Sequence, residues 1–391
     1  MKKAAVILAL FLSYCLNDSF SQTGNDTLVY LITCNPGTET YSIYGHSALR
    51  IVNKSENTDR VYNWGTFDFS TPNFAWKFAK GRLEYMLAVE SMENFLQTYF
   101  YEERAVYSQK INLSPMEIRQ LMLLIDENLK PQNVKYRYDF FYDDCSTRIR
   151  DLLEKTIGNR LIYPPEGSLK PPTFRDMTGK YQDPYPWLKF GIDLIMGSPG
   201  DKKTTFRDMM FLPVDLQASL SETLVRRDGK MIPLLQNPEV ILNFDPPSRQ
   251  RRIIYAPENV FALILILLII IIPLIKSKIA VTSIDIFIFF LFSVLAVMMI
   301  FFNFFTDHQQ MKFNLNILWL NPFVIICFVL LILGRQGKKW FRIVFYISVL
   351  FLVLHMLLPQ DFNIAILPLV LIMVLRSSAH SGFTWNPFSL K

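Results

Sequence analysis

The stretch Tyr142-Asp143-Asp144-Cys145-Ser146-Thr147-Arg148-Ile149-Arg150-Asp151-Leu152-Leu153 decides how the first part of the chain is read. Ile149, Leu152 and Leu153 recur at helical spacing, which predicts a helix starting near Cys145. Asp143 or Asp144 supplies its N-cap. Cys145 then falls in the first turn, where unpaired backbone N–H groups and the helix dipole favour a thiolate. A thiol nucleophile also needs a proton acceptor. His46, within Tyr44-Gly45-His46-Ser47-Ala48-Leu49-Arg50, is the only histidine before the apolar C-terminal part. Cys145 and His46 are therefore read as a nucleophile–base pair.

Around this pair the pattern is α+β. The runs 27–33, 44–52, 60–67, 83–89 and 105–113 are β-branched and aromatic and predict strands. Helices are expected at 72–80 and 92–101. Ser114-Pro115-Met116-Glu117 opens a further helix, with Ser114 as N-cap and Glu117 as its capping-box partner. Residues 134–141 read as a strand or extended segment leading into the Cys145 helix. The expected domain, 22–162, is an antiparallel sheet with helices packed on it. Residues 163–235, rich in proline, read as a helical and looped extension covering the site, with a hairpin turn at Arg227-Asp228-Gly229-Lys230. Residues 236–259, with Pro246-Pro247, read as a linker.

Residues 1–21 carry a positive start, an apolar core and a small-residue cleavage site, as a secretory signal does. Cys15 raises a lipoprotein-type alternative. Of the four cysteines, Cys327 lies in an apolar run and reads as a packing residue. Cys34 and Cys145 remain, and an exported domain permits them to pair as a disulfide. Two cysteines and one histidine do not complete a structural zinc site, so no metal and no cofactor is expected.

Residues 260–376 read as an all-α polytopic membrane domain of about five spans, over 260–275, 284–302, 317–333, 341–358 and 364–375. Lys276, Lys278, Arg335, Lys338, Lys339, Arg342 and Arg376 would all be cytoplasmic if the N-terminal domain is exported, as the positive-inside rule expects. Residues 377–391 would then form a cytoplasmic tail. The polar loop 303–321, carrying His308, Asn316 and Trp319, falls on the side of the N-terminal domain. His355 sits in a span, where an ionisable residue is a functional candidate. The net charge of +6 is spread along the chain and recurs at membrane edges, which suits anionic lipid and not a nucleic acid.

A histidine on a strand followed by a helix-start cysteine reverses the order of papain, and resembles the circularly permuted NlpC-type, or LRAT-like, thiol enzymes. Nearly the whole mature chain, including the membrane part, is more similar to a bacterial lipoprotein N-acyltransferase family. The stretches that carry this are Tyr44 to Arg50, Tyr62-Asn63-Trp64-Gly65-Thr66-Phe67-Asp68-Phe69, Asp144-Cys145-Ser146-Thr147-Arg148-Ile149-Arg150-Asp151 and Asn314-Leu315-Asn316-Ile317-Leu318-Trp319. Asp144 is a departure, since related sequences often carry Asn before the cysteine.

The resemblance implies a bacterial inner-membrane enzyme with a periplasmic catalytic domain. It would move a fatty acyl chain from a phospholipid to the α-amino group of a diacylglyceryl-cysteine lipoprotein, through a thioester on Cys145. Asn63 or Asp68 would orient His46. Tyr44, Asp144, Arg148, His308, Asn316 and Trp319 are the candidate substrate-binding residues. For Arg148 the competing expectation is an ion pair with Asp144 or Asp151. Two rival readings remain open: a membrane-tethered cysteine peptidase or amidase acting on cell-wall peptides, and a non-catalytic scaffold closed by a Cys34–Cys145 disulfide.

Overall fold

The structure is a computed structural model and describes residues 26–165, 167, 171–245 and 254–383. The expected signal segment 1–21, Cys15 and Pro246-Pro247 lie outside these residues.

The first half of the N-terminal domain runs β1 (Thr27–Cys34), β2 (His46–Asn53), β3 (Thr58–Thr66), α1 (Phe74–Ala79), β4 (Glu84–Ser91), α2 (Met92–Tyr101), β5 (Val106–Lys110), α3 (Pro115–Leu129), β6 (Lys135–Arg137) and α4 (Cys145–Ile157). The second half adds β7 (Leu161–Ile162), α5 (Phe174–Gln182), α6 (Pro186–Ile195), α7 (Pro213–Glu222), β8 (Leu224–Arg227), β9 (Lys230–Pro233) and β10 (Glu239–Leu242). Among the described residues, seven strands form one sheet in the order β10-β5-β1-β2-β3-β4-β6, and β7-β8-β9 form a small second one. Every pairing is antiparallel.

Period-two patterning splits the core between the two faces of the large sheet. Val29, Leu31, Leu49, Ile51, Tyr62 and Trp64 face α3 and α4, where they meet Leu121, Ile125, Ile149 and Leu153. Ile32, Cys34, Ala48 and Val61 face the other way and pack on Met92, Phe95 and Tyr99 of α2. This alternation overturns the disulfide reading. Cys34 points to the α2 face while Cys145 starts a helix on the opposite one, and both are free thiols.

One further correction concerns the domain's edge. The stretch read as a linker contains β10, whose Ile241 and Leu242 pack on the α2-side cluster. Pairing with β5 covers an otherwise open sheet edge. The extended segment 134–141 contributes only three residues of strand. Asp139 Oδ1 accepts from the N–H groups of Phe141 (3.0 Å) and Tyr142 (3.1 Å), turning the chain sharply towards α4. The hairpin turn at 227–230 forms as expected, with Asp228 and Gly229 both at positive φ, the geometry of a two-residue β-hairpin.

The C-terminal part is helical: α8 (Pro257–Ile271), α9 (Lys278–Phe304), α10 (Phe323–Ile332), α11 (Lys338–Leu354) and α12 (Ile366–His380). Among the described residues, three helical stretches, Pro257–Leu274, Lys278–Phe304 and Lys338–Leu357, are long and apolar enough to cross a membrane. α10 and α12 are shorter apolar helices. The run 317–333 yields a short helix because its first residues form a 3-10 turn pinned by side-chain bonds. α12 runs on through 377–380, so the tail expectation fails there, and Arg376 is not a loop cation. It is fully buried and forms a bidentate pair with Asp285 of α9 (2.5 and 2.8 Å). His380 joins the same carboxylate at 2.7 Å.

Candidate active site

Cys145 is the first residue of α4, and Asp144 is its N-cap. Asp144 Oδ1 accepts from the N–H groups of Ser146 (2.9 Å) and Thr147 (2.8 Å), and its own N–H donates to Thr147 Oγ1 (2.7 Å). Such a cap stabilises a helix by about 1 kcal/mol. It also settles what the Asp144 charge does: the carboxylate is turned to the helix N–H groups. Burial pushes its pKa well up, an adjacent Cys145 charge pushes the same way, and the bonds from Thr147 and Ser146 oppose both. Asp144 is thus a buried capping residue that also lines the Cys145 cleft.

Arg148 takes neither expected partner. It forms a bidentate pair with Asp143 (2.6 and 2.9 Å), and its guanidinium lies 3.5 Å from the Tyr136 ring centroid. Helical geometry explains the choice, since Asp143 sits just outside the helix where the Arg148 side chain reaches back over the first turn. Its donors are thus engaged away from the Cys145 cleft.

His46 opens β2 directly opposite Cys34 on β1. Its Nε2 lies 2.7 Å from Asn63 Oδ1 on β3. Asn63 Nδ2 donates to Glu90 Oε1 on β4 at 3.3 Å, which orients the amide with its oxygen towards the imidazole. Asn63 Oδ1 can only accept, so Nε2 carries the proton and Nδ1 is the basic nitrogen. His46, Asn63 and Glu90 therefore line up on one face across three adjacent strands. Asp68, the other expected orienter, is exposed and caps its own turn through Ser70 N–H (2.8 Å) and Oγ (2.7 Å).

The cysteine and histidine come to the end of the sheet from opposite faces and line the same cleft, with Gly65 beside both. The register of β3 and β4 shifts between Trp64 and Thr66, and Gly65 occupies the irregularity with φ +96°. A β-carbon placed on Gly65 would lie 3.8 Å from both Cys145 Cβ and His46 Cε1. Gly65 is thus a residue of the site to which the sequence alone assigns no role. Its signal was an isolated glycine inside a strand pattern, which marks a bulge or a close approach.

Burial pushes the Cys145 thiol up, while N–H groups of Ser47, Ser146 and Cys145 itself, together with the Ser146 hydroxyl, pull it back. Burial also holds His46 below its usual value, and the Asn63 bond opposes that. At neutral pH the pair therefore rests as thiol and neutral imidazole. Cys34, buried against Tyr99, is pushed up to about 12 by burial and is inert.

Cys145, His46 and Asn63 open into a cleft of about 520 Å³. Tyr44, Phe78, Tyr85, Tyr138 and Phe140 line it and also line an adjoining, almost wholly apolar pocket. Tyr44 is held by Gln182 Nε2, which donates to its hydroxyl at 2.7 Å. His308 reaches the adjoining pocket and not the cleft, its Nε2 lying 3.0 Å from the carbonyl of Phe78. Asn316 and Trp319 reach neither. Asn316 Nδ2 donates to the carbonyl of Leu194 (3.1 Å), and Trp319 Nε1 donates to Asn316 Oδ1 (2.9 Å), so both are buried supports between α6 and the membrane helices. His355 Nδ1 lies 2.9 Å from the Leu352 carbonyl. Among the described residues no group of three or more His, Cys, Asp or Glu is placed to hold a metal ion.

Fold and site together define a class: a membrane protein whose N-terminal α+β domain carries a Cys–His–Asn cleft. The family model described as the Lnb N-terminal periplasmic domain matches residues 19–176, and that described as the Lnb transmembrane domain matches residues 249–386. The chain belongs to the Lnb family, a periplasmic domain fused to a membrane domain. No curated protein and no solved structure matches it.

Proposed function

We propose that this protein is a thiol acyltransferase that moves a fatty acyl chain from a phospholipid to the α-amino group of a diacylglyceryl-cysteine lipoprotein. One observation carries the reading: the Cys145–His46–Asn63 cleft continues into an apolar pocket walled in part by the membrane domain. A peptide-cleaving enzyme has no need of such a wall, whereas a substrate drawn from a bilayer does.

The chemistry follows from the neutral pair. His46 Nδ1 takes the proton of Cys145 Sγ as the sulfur attacks the ester carbonyl. The N–H groups of Ser47 and Cys145 that face the sulfur are available to the tetrahedral oxyanion. Collapse breaks the ester C–O bond, and the imidazolium returns its proton to the leaving alkoxide, releasing the lysophospholipid. The lipoprotein amine then attacks the thioester. His46 takes a proton from the amine nitrogen and gives it to the departing sulfur, leaving an amide and the thiol. Asn63 holds the tautomer throughout.

This arrangement supports reading the domain as a permuted papain-like, NlpC-type fold. Counting α10 and α12 as spans gives five, and with a periplasmic N-terminal domain this places Lys276, Lys278, Arg335, Lys338, Lys339 and Arg342 in the cytoplasm. The test is mass spectrometry of lipoprotein N-termini from cells with and without the protein. A third acyl chain that disappears with the gene is expected. Unchanged N-termini contradict the reading.

A further inference from the structure

We infer that the apolar pocket beside the cleft holds the donor's acyl chain, and that its far wall, shared between α6 and the loop after α9, sets the chain length the enzyme accepts. The inference rests on the acyltransferase reading and adds to it where the chain lies and what limits it.

The pocket measures about 280 Å³ and joins the catalytic cleft through shared aromatic walls. An acyl carbon chain leaving the ester carbonyl at Cys145 therefore has one continuous apolar path. Ile192 and Ile195 of α6, Met196 and Met311 close the distal side. The polar groups at that end are mostly engaged elsewhere. His308 bonds the Phe78 carbonyl, and Gln310 Nε2 donates to Asp139 Oδ1. A lining whose donors are satisfied leaves apolar surface to be covered by an apolar ligand.

The same wall is built from both domains, and their contacts fix it in place. A β-carbon on Gly81, just after α1, would lie only 3.0–3.2 Å from His308, so the two loops touch closely here. Arg82 Nε donates to Asp307 Oδ2 (2.7 Å), and the Asp307 N–H donates to the Lys80 carbonyl (2.8 Å). The Gly197 N–H donates to the Gln310 carbonyl at 2.8 Å.

The pocket also sits level with the outer end of a membrane helix. α1 has no buried residue and exposes Trp76 and Phe78. Trp76 packs on Phe301 near the end of α9, with ring centroids 5.7 Å apart. An exposed Trp beside the end of an apolar helix marks the level of the lipid head groups. Phe78, one residue pair further along α1, lines both pocket and cleft. A chain can therefore pass from the outer leaflet along α1 into the pocket while its ester stays at Cys145.

The experiment is a competition within one micelle. Full-length protein is mixed with equal amounts of dipalmitoyl and dioctanoyl phosphatidylethanolamine and no amine, and the two acyl adducts on Cys145 are weighed by mass spectrometry. Ile192→Trp and Met311→Trp each fill the pocket from a different side. Excluding two methylenes from an apolar site already costs roughly tenfold, so each should lower the palmitoyl-to-octanoyl ratio by at least about tenfold. Ile195→Ala, which enlarges the pocket instead of filling it, should raise the ratio. Unchanged ratios in every variant that forms adducts overturn the inference and leave the acyltransferase reading standing. No adduct from either lipid in the unmodified protein overturns that reading itself.

Discussion

The Nε2 of His46 stands 2.7 Å from Asn63 Oδ1, and Glu90 holds the Asn63 amide from the other side at 3.3 Å. The imidazole is thereby fixed in one tautomer with Nδ1 basic. Asn63→Ala removes the hold while keeping the base. The expected effect is a fall in kcat of roughly tenfold or more, short of the ~10²–10⁴-fold that general-base catalysis supplies, with KM for lipid little changed. Single-turnover acylation of Cys145 measures it. An Asn63→Ala rate equal to that of the unmodified protein contradicts the role.

Gly65→Ala tests how the pair is brought together. The new methyl would lie 3.8 Å from Cys145 Cβ and from His46 Cε1, and φ +96° is strained for any L-residue. Turnover should drop by at least about tenfold, since small misplacements at a reacting centre cost up to ~10²-fold. Alkylation of Cys145 by the small reagent iodoacetamide should fall far less. Equal losses in both assays would point to a general collapse of the fold and not to a local misplacement.

The pH dependence has a definite sign. Burial lowers the His46 pKa, so the base stays neutral and competent to a lower pH than a free imidazole allows. Activity should be lost only as pH falls through that depressed value, which puts the acid limb of kcat/KM below about pH 6.5. Burial raises the Cys145 pKa, so thiolate accumulates only in the alkaline range. Alkylation rate against pH should therefore climb through the alkaline range. A flat, fast rate down to about pH 4, as a preformed thiolate–imidazolium pair gives, is the opposing result.

The buried Asp285–Arg376 pair joins α9 to α12, with His380 on the same carboxylate. Removing one charge and stranding the other costs about 3–5 kcal/mol, whereas replacing both with apolar residues is often neutral. Asp285→Ala should lower the unfolding temperature in detergent clearly, and Asp285→Leu combined with Arg376→Met should recover most of the loss. A double variant as unstable as the single one would mean that the pair is not an energetic unit.

What was legible in the sequence follows from how local its causes are. Ser114 and Glu117 form a capping box whose parts lie within one turn, and the helix starts where they say. The helix at Cys145 was equally local. Asn63 was reachable because diagonal neighbours on adjacent strands touch. Gly65 showed only as an isolated glycine within a strand, because the bulge it occupies is set by the pairing of two strands. β10 was missed because its only reason to be a strand is the open edge of β5, a partner some 130 residues away. Asp285 and Arg376 were missed as a pair because a buried ion pair spans two helices far apart in sequence. Asn316 and Trp319 looked like ligand-binding groups because polar residues beside a membrane run can serve either a substrate or a helix junction. Only the Leu194 carbonyl, far upstream, decides for the junction.

The most direct measurement asks whether phospholipid alone acylates Cys145. Purified protein is incubated with phospholipid labelled in its acyl chain, with the amine acceptor left out. The account predicts label on Cys145 that neutral hydroxylamine removes, none on Cys145→Ser or His46→Ala, and transfer to a lipopeptide amine once that is added. A Cys145→Ala protein that transfers acyl chains at the unmodified rate, or an unmodified protein that cleaves peptides and never takes the label, would contradict it.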